Sequence, residues 1–111
     1  NDRQMLAADA PVDKGGGAAG FGAHELLEAA LAVCINMAVR MHADARTIPL
    51  ESASTRVQLV RPNPETICFD FALELAGPLS DDQRAELRAA ARACPVRQTL
   101  SKRIEFNELD A

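Results

Sequence analysis

From His24 to about Ala45, apolar residues return every three or four positions: Leu27, Leu31, Cys34, Ala38 and Met41, with Leu26, Ala30 and Met37 widening the stripe. That period predicts an α-helix, and the breadth of the stripe predicts one covered on most of its sides. Charged Glu28, Arg40, His42, Asp44 and Arg46 lie toward the ends, and Asn36 is the only polar residue between Ala29 and Val39, so the centre is expected in the core. The helix must stop before Pro49, because proline disfavours a helical residue ahead of it and has no amide proton. A two-residue period then takes over. Thr55, Val57 and Leu59 alternate with Arg56 and Gln58, and Ile67, Phe69, Phe71, Leu73 and Leu75 alternate with Cys68, Asp70, Ala72 and Glu74. With Arg61-Pro62-Asn63-Pro64-Glu65 as the turn between them, these runs predict an antiparallel hairpin.

A second helix is expected from Ser80, whose hydroxyl and Gln83 three residues on make a capping box, with Asp81 and Asp82 at the positive end of the dipole. Leu87, Ala90, Ala91 and Cys94 supply its apolar stripe, Arg84, Glu86, Arg88 and Arg92 face water, and Pro95 ends it. Met5 to Ala8 read as the tail of a strand, and Arg103-Ile104-Glu105-Phe106 as a closing edge strand. Val12 to Gly22 hold five of the six glycines and read as a loop, without a Walker or GxGxxG pattern. The expected order is β-loop-α-β-β-α-β. This is an α+β fold with helices on one face of a small antiparallel sheet.

The chain has 111 residues and 11.9 kDa, enough for one core, so residues 1–111 are read as a single domain. A net charge of -4, no basic run and only four aromatic residues, all Phe, argue against a nucleic-acid partner. Glu28, Asn36 and Arg40 interrupt the apolar stretch from Leu26 to Met41, so no membrane span is expected, and no basic-then-apolar leader follows Asn1. Three widely spaced cysteines fit neither a disulfide-stapled domain nor zinc knuckles, which makes a reducing cytoplasm the expected compartment.

Read on its own, Cys34 is either a small buried hydrophobe on the helix stripe or a reactive thiol. Cys94 carries the same two readings, with a pKa raised by the negative end of the helix it terminates. Cys68 stands beside Asp70 and Glu74, which oppose thiolate formation, and is read as structural. His24 and His42 have no partner at metal-ligand spacing, so no metal is expected. His24 also precedes Cys34 by ten residues, about 15 Å of helix, too far for a Cys-His pair within one chain.

Two motifs carry a resemblance. Gly22-Ala23-His24-Glu25-Leu26-Leu27-Glu28-Ala29-Ala30-Leu31-Ala32-Val33-Cys34 opens the long helix, and Cys94-Pro95-Val96-Arg97-Gln98-Thr99-Leu100 follows sixty residues after Cys34. In this order and at this distance they resemble the OsmC-like family over about residues 11–106. The resemblance implies an OsmC-like α+β fold with a long central helix, a second helix and a final strand, assembled as an intertwined homodimer, its amino-terminal hairpin shortened here. It implies a thiol-dependent hydroperoxide reductase without bound cofactor: Cys34 as peroxidatic thiolate, Cys94 as resolving thiol, and an external dithiol as reductant. The family's helper carboxylate stands ten residues before the cysteine, where this chain has His24, so Glu25 next to it is assigned that role. The family's arginine is assigned to Arg3, with Arg97 and Arg40 as alternatives. His24, Leu27 and Leu31 are assigned to substrate binding. The alternative reading is a non-catalytic OsmC-like protein that binds a small ligand or serves a stress response.

Overall fold

The computed structural model describes residues 2–110; Asn1, where the reading of a leader began, and Ala111 lie outside them. The elements are α1 (Ala23–Ala45), β1 (Ser52–Asn63), β2 (Thr66–Ala76), α2 (Asp81–Arg92) and α3 (Pro95–Leu100), preceded by a single 3-10 turn at Val12–Lys14. The fold is α+β: a long helix and two shorter ones packed with a two-stranded antiparallel sheet.

The core is organised by one row of α1. Leu31, Ile35, Val39 and Ala43 recur every four residues and are buried, together with Ile48, Leu50, Leu73, Leu75, Leu87, Ala91 and Cys94. The apolar positions expected on α1 split into two faces. Val33, Met37 and Met41 form a second row about 200° round the helix from the first, and are 54%, 61% and 70% exposed. The hairpin and α2 cover only the first row, so the broad apolar stripe is half clothed in one chain. By length and hydropathy α1 also satisfies a membrane span. In this fold its polar residues are tied to protein: Leu59 N–H donates to Glu28 Oε2 at 2.7 Å, and Arg40 donates to the carbonyls of Leu50 and Glu51 at 3.0 and 3.4 Å.

The hairpin pairs Ser52 with Ala76 through Val60 with Cys68, then slips by a bulge before Asn63 meets Thr66. Pro62 therefore falls inside β1, at the irregularity where its missing N–H interrupts no regular ladder, and the turn shortens to Pro64-Glu65. Leu73 and Leu75 are buried as the alternation requires, while Ile67 and Phe71 on the same face are 57% and 40% exposed, because among the described residues that end of the sheet faces a cavity rather than a packed element. Gly77 follows β2 at φ +138, and a Cβ there would collide with the Pro49 carbonyl. Only glycine fits that crossing.

Helix α2 begins as expected: Gln83 N–H donates to Ser80 Oγ at 3.1 Å and Ser80 N–H to Gln83 Oε1 at 3.0 Å. Its supposed water-facing residues are partly engaged. Arg84 donates to the Leu75 carbonyl at 2.9 Å, and Glu86 meets His42 Nε2 at 2.7 Å and Arg46 Nε at 3.4 Å, which clamps α2 to the end of α1.

The two terminal strands do not form among the described residues. The amino-terminal segment contributes one isolated bridge, Ala8 to Phe21, and residues 103–110 have no regular structure. Alternation alone makes no strand without a neighbour to pair with. Asp9 organises the glycine-rich loop, accepting from the N–H groups of Ala10, Gly17 and Ala19 at 2.8, 3.0 and 3.1 Å, which holds its carboxyl below the usual range. Gly16 backs directly onto Ala10, where a Cβ would strike the carbonyl.

Truncation in the core that packs on this row should be costly. Leu87→Ala, at a side chain with 0% exposure, is expected to lower unfolding free energy by about 2–5 kcal/mol in urea titrations. An effect under about 1 kcal/mol would mean that α2 is not packed as described.

Candidate active site

Cys34 lies on the middle of α1, and Cys94 in the short link between α2 and α3. The fold brings them together from sixty positions apart. The N–H of Val96 donates to Cys34 Sγ at 3.4 Å, and Cys34 stands near enough to Cys94 to push that thiol's pKa up. Both are free thiols, Cys34 half-buried and Cys94 fully buried. Burial pushes the Cys94 thiol above its ordinary value of 9.0; the amide of Arg97 opposes that rise, the neighbouring Cys34 adds to it, and the amide of Val96 again opposes it. The two cysteines are therefore unlike: one is half-buried, and the other is sealed and kept protonated.

The position of Cys94 differs from the sequence expectation. It follows the end of α2, but it is also the N-cap of α3, with Pro95 at the first helical position. The cause of its raised pKa is burial, not the negative end of a helix. The sequence carried the signal for α3 in the Pro95-Val96-Arg97 run, since proline is favoured at a helix's first position as well as after its last.

Beside the pair lies a mostly apolar cavity of about 730 Å³. His24, Leu27, Leu31 and Ile35 of α1 form one wall, and Leu59, Ile67, Phe69 and Phe71 of the hairpin another. Arg97, Leu100, Ser101, Ile104 and Phe106 form the third. The three residues assigned to substrate binding, His24, Leu27 and Leu31, all line it. The third wall departs from the sequence expectation, in which Pro95 ends a helix and Arg103 to Phe106 form an edge strand. Neither cysteine side chain forms the wall itself; the cavity passes Ile35, next to Cys34, and Arg97, three residues after Cys94.

The assigned helpers are elsewhere. Glu25 Oε1 accepts the Gly22 N–H at 2.9 Å and so caps α1, and it does not line the cavity. Arg3 lies on the exposed amino-terminal segment, also outside the cavity wall. Arg40 is held by Leu50, Glu51 and Asp44. Arg97 is the arginine that lines the cavity. Cys68 sits on β2 opposite Val60, apart from the pair. Among the described residues no three His, Cys, Asp or Glu side chains converge as a metal site.

The family description OsmC-like protein matches residues 15–108 of the chain. The chain belongs to the OsmC-like family. Among curated proteins no match is found. Solved structures agree with the assignment. An OsmC-like protein from Mycoplasma pneumoniae is 24% identical with a TM-score of 0.73, covering 89% of this chain and 74% of that one. A Psychrobacter arcticus protein named for osmotic stress induction and detoxification response is 24% identical with a TM-score of 0.76, covering 88% and 73%. An organic hydroperoxide resistance protein, OsmC, from Legionella pneumophila is 25% identical with a TM-score of 0.64, covering 89% and 75%. The first two establish the fold, and the third, a protein itself named for organic hydroperoxide resistance, shares it.

The raised pKa of Cys94 has a measurable sign. Native protein holds its proton where unfolded chain has released it, so the stabilisation is full below about pH 9 and declines as pH rises toward the folded value. The urea midpoint should fall with pH in that range, and Cys94→Ala should flatten the slope. A wild-type slope retained in Cys94→Ala would assign the effect to another group.

Proposed function

We propose that this OsmC-like protein is a thiol-dependent hydroperoxide reductase in which Cys34 attacks and Cys94 resolves. The observation that carries the reading is the meeting of one half-exposed and one sealed thiol, of which the sealed one stays protonated. The Cys34 thiolate attacks the distal oxygen of ROOH; the O–O bond breaks, the alkoxide takes a proton and leaves as ROH, and Cys34 becomes a sulfenic acid. The Cys94 sulfur, giving up its proton, then attacks the Cys34 sulfur, forming a disulfide and releasing water. An external dithiol reduces that disulfide and is itself oxidised to one, in keeping with a reducing cytoplasm.

The second reading, a non-catalytic ligand-binding member, draws on the placement of Glu25 at the helix cap and on a cavity that neither cysteine lines. The cysteine variants separate the two. Cys34→Ser should abolish peroxide consumption, whereas Cys94→Ser should complete one round and leave a sulfenic acid on Cys34, trapped by dimedone and located by mass mapping. Loss of the first oxidation in both variants alike, or oxidation at Cys68, would reject this division of roles.

The same reading includes a homodimer. The exposed row of Val33, Met37 and Met41 is a continuous apolar ridge on α1, suited to a two-fold contact with its own copy. Light scattering at micromolar concentration should give about twice 11.9 kDa, and Met37→Glu should halve it. A wild-type monomer would refute the dimer.

A further inference from the structure

Helix α3 has six residues, none of them fully buried, and a helix that short does not persist in water on its own hydrogen bonds. Its N-cap, Cys94, makes no side-chain capping bond. The capping acceptor comes from another helix instead: Cys34 Sγ on α1 takes the Val96 N–H at 3.4 Å. The half-buried Val96 side chain packs against the core, so one residue gives α3 both an amide tie and an apolar tie to the rest of the fold. The side-chain bonds of the segment are local, Gln98 Nε2 donating to the Ala93 carbonyl at 3.0 Å and Ser101 Oγ to the Arg97 carbonyl at 2.8 Å. The third wall of the cavity, from Arg97 to Phe106, therefore hangs from a turn whose cap is the Cys34 sulfur.

We propose that Cys34 is a redox-dependent cap of α3: its union with Cys94 withdraws the acceptor from Val96, frees the first turn of α3 and lets the third wall swing away from the pair. In the closing step a hydroperoxide takes two electrons from the two thiols. The S–S bond forms, the O–O bond breaks, and the two thiol protons end on ROH and water. A sulfur–sulfur bond is about 2.05 Å long with a torsion near a right angle, which redirects the Cys34 sulfur toward Cys94. Sulfur is a weak acceptor from the outset, so a small displacement is enough to lose the amide. That amide is costly to leave unpaired inside the protein, and opening the turn hands it to water. The release also answers a problem of access. An external dithiol must reach a sulfur of the disulfide, yet Cys94 is 0% exposed and Cys34 half-buried in the reduced protein. This role in turnover rests on the peroxidase reading, whereas the coupling of the Cys34 sulfur to α3 does not.

The test is hydrogen–deuterium exchange read by mass spectrometry on the full-length Cys68→Ser protein. The reduced state is compared with the state oxidised by diamide, which takes two electrons and two protons from a thiol pair without any peroxide. Amides of residues 96–101 should exchange at least about tenfold faster after oxidation, with the hairpin unchanged. Reduced Cys34→Ala should show the same fast exchange with no disulfide present. Reduced Cys34→Ser, whose hydroxyl offers an acceptor, should keep part of the protection, and Cys94→Ala should stay protected with or without diamide. Hairpin protection serves in each variant as the internal measure of folding. No rise over residues 96–101 on oxidation, a rise shared by the hairpin, failure of diamide to join Cys34 to Cys94, or a Cys34→Ala variant as protected as the reduced parent would overturn the proposal. Turnover of tert-butyl hydroperoxide is followed in parallel. Turnover with α3 unmoved rejects the redox cap alone, and loosening of α3 by diamide without turnover rejects the peroxidase reading alone.

Discussion

Every other part of this molecule leans on the buried row Leu31-Ile35-Val39-Ala43. A two-stranded ribbon has too little apolar surface to stand in water by itself, and α2 is a twelve-residue helix with only Leu87 and Ala91 buried. Each finds its main partner in α1. Burying side chains such as Ile35 and Leu87 contributes on the order of 1.5–3 kcal/mol apiece, so a handful of contacts along one ridge outweighs any local preference of the hairpin. The same row sets the chemistry, because fixing the rotation of α1 fixes where Cys34 points, and packing α2 on it delivers Cys94 to the same place.

Periodicity was legible where both partners of a contact were encoded locally. The alternation from Ile67 to Leu75 and the capping of Ser80 by Gln83 needed nothing distant, and both stand as read. On α1 the period gave a helix but not its rotation. Two apolar rows were available, and which one turns inward depends on where the hairpin and α2 land. The terminal strands failed for the related reason that an alternating run such as Ile104 to Phe106 is a strand only beside another strand.

The candidate site was legible in a different way. Cys34 and Cys94 stand sixty residues apart, and no local rule joins them; two motifs matched to a family did so. Residue roles transferred less well than positions. Glu25 is acidic and close to the motif, yet Gly22 presents an amide within its reach, and a helix start claims a carboxylate readily. The resemblance leaves three arginines open, and only geometry singles out Arg97, because α3 places it on the cavity wall.

Glu28 has a further consequence, for what the hairpin avoids. β1 pairs with β2 on one edge, and on the other the Leu59 N–H ends on the Glu28 carboxylate. An unpaired strand edge is a template on which a stray chain can dock and start an aggregate. A charge seated on that edge removes one of the donors an incoming strand would use and sets a negative group in its path. The residue that fastens helix to sheet thus also acts as a gatekeeper of colloidal stability.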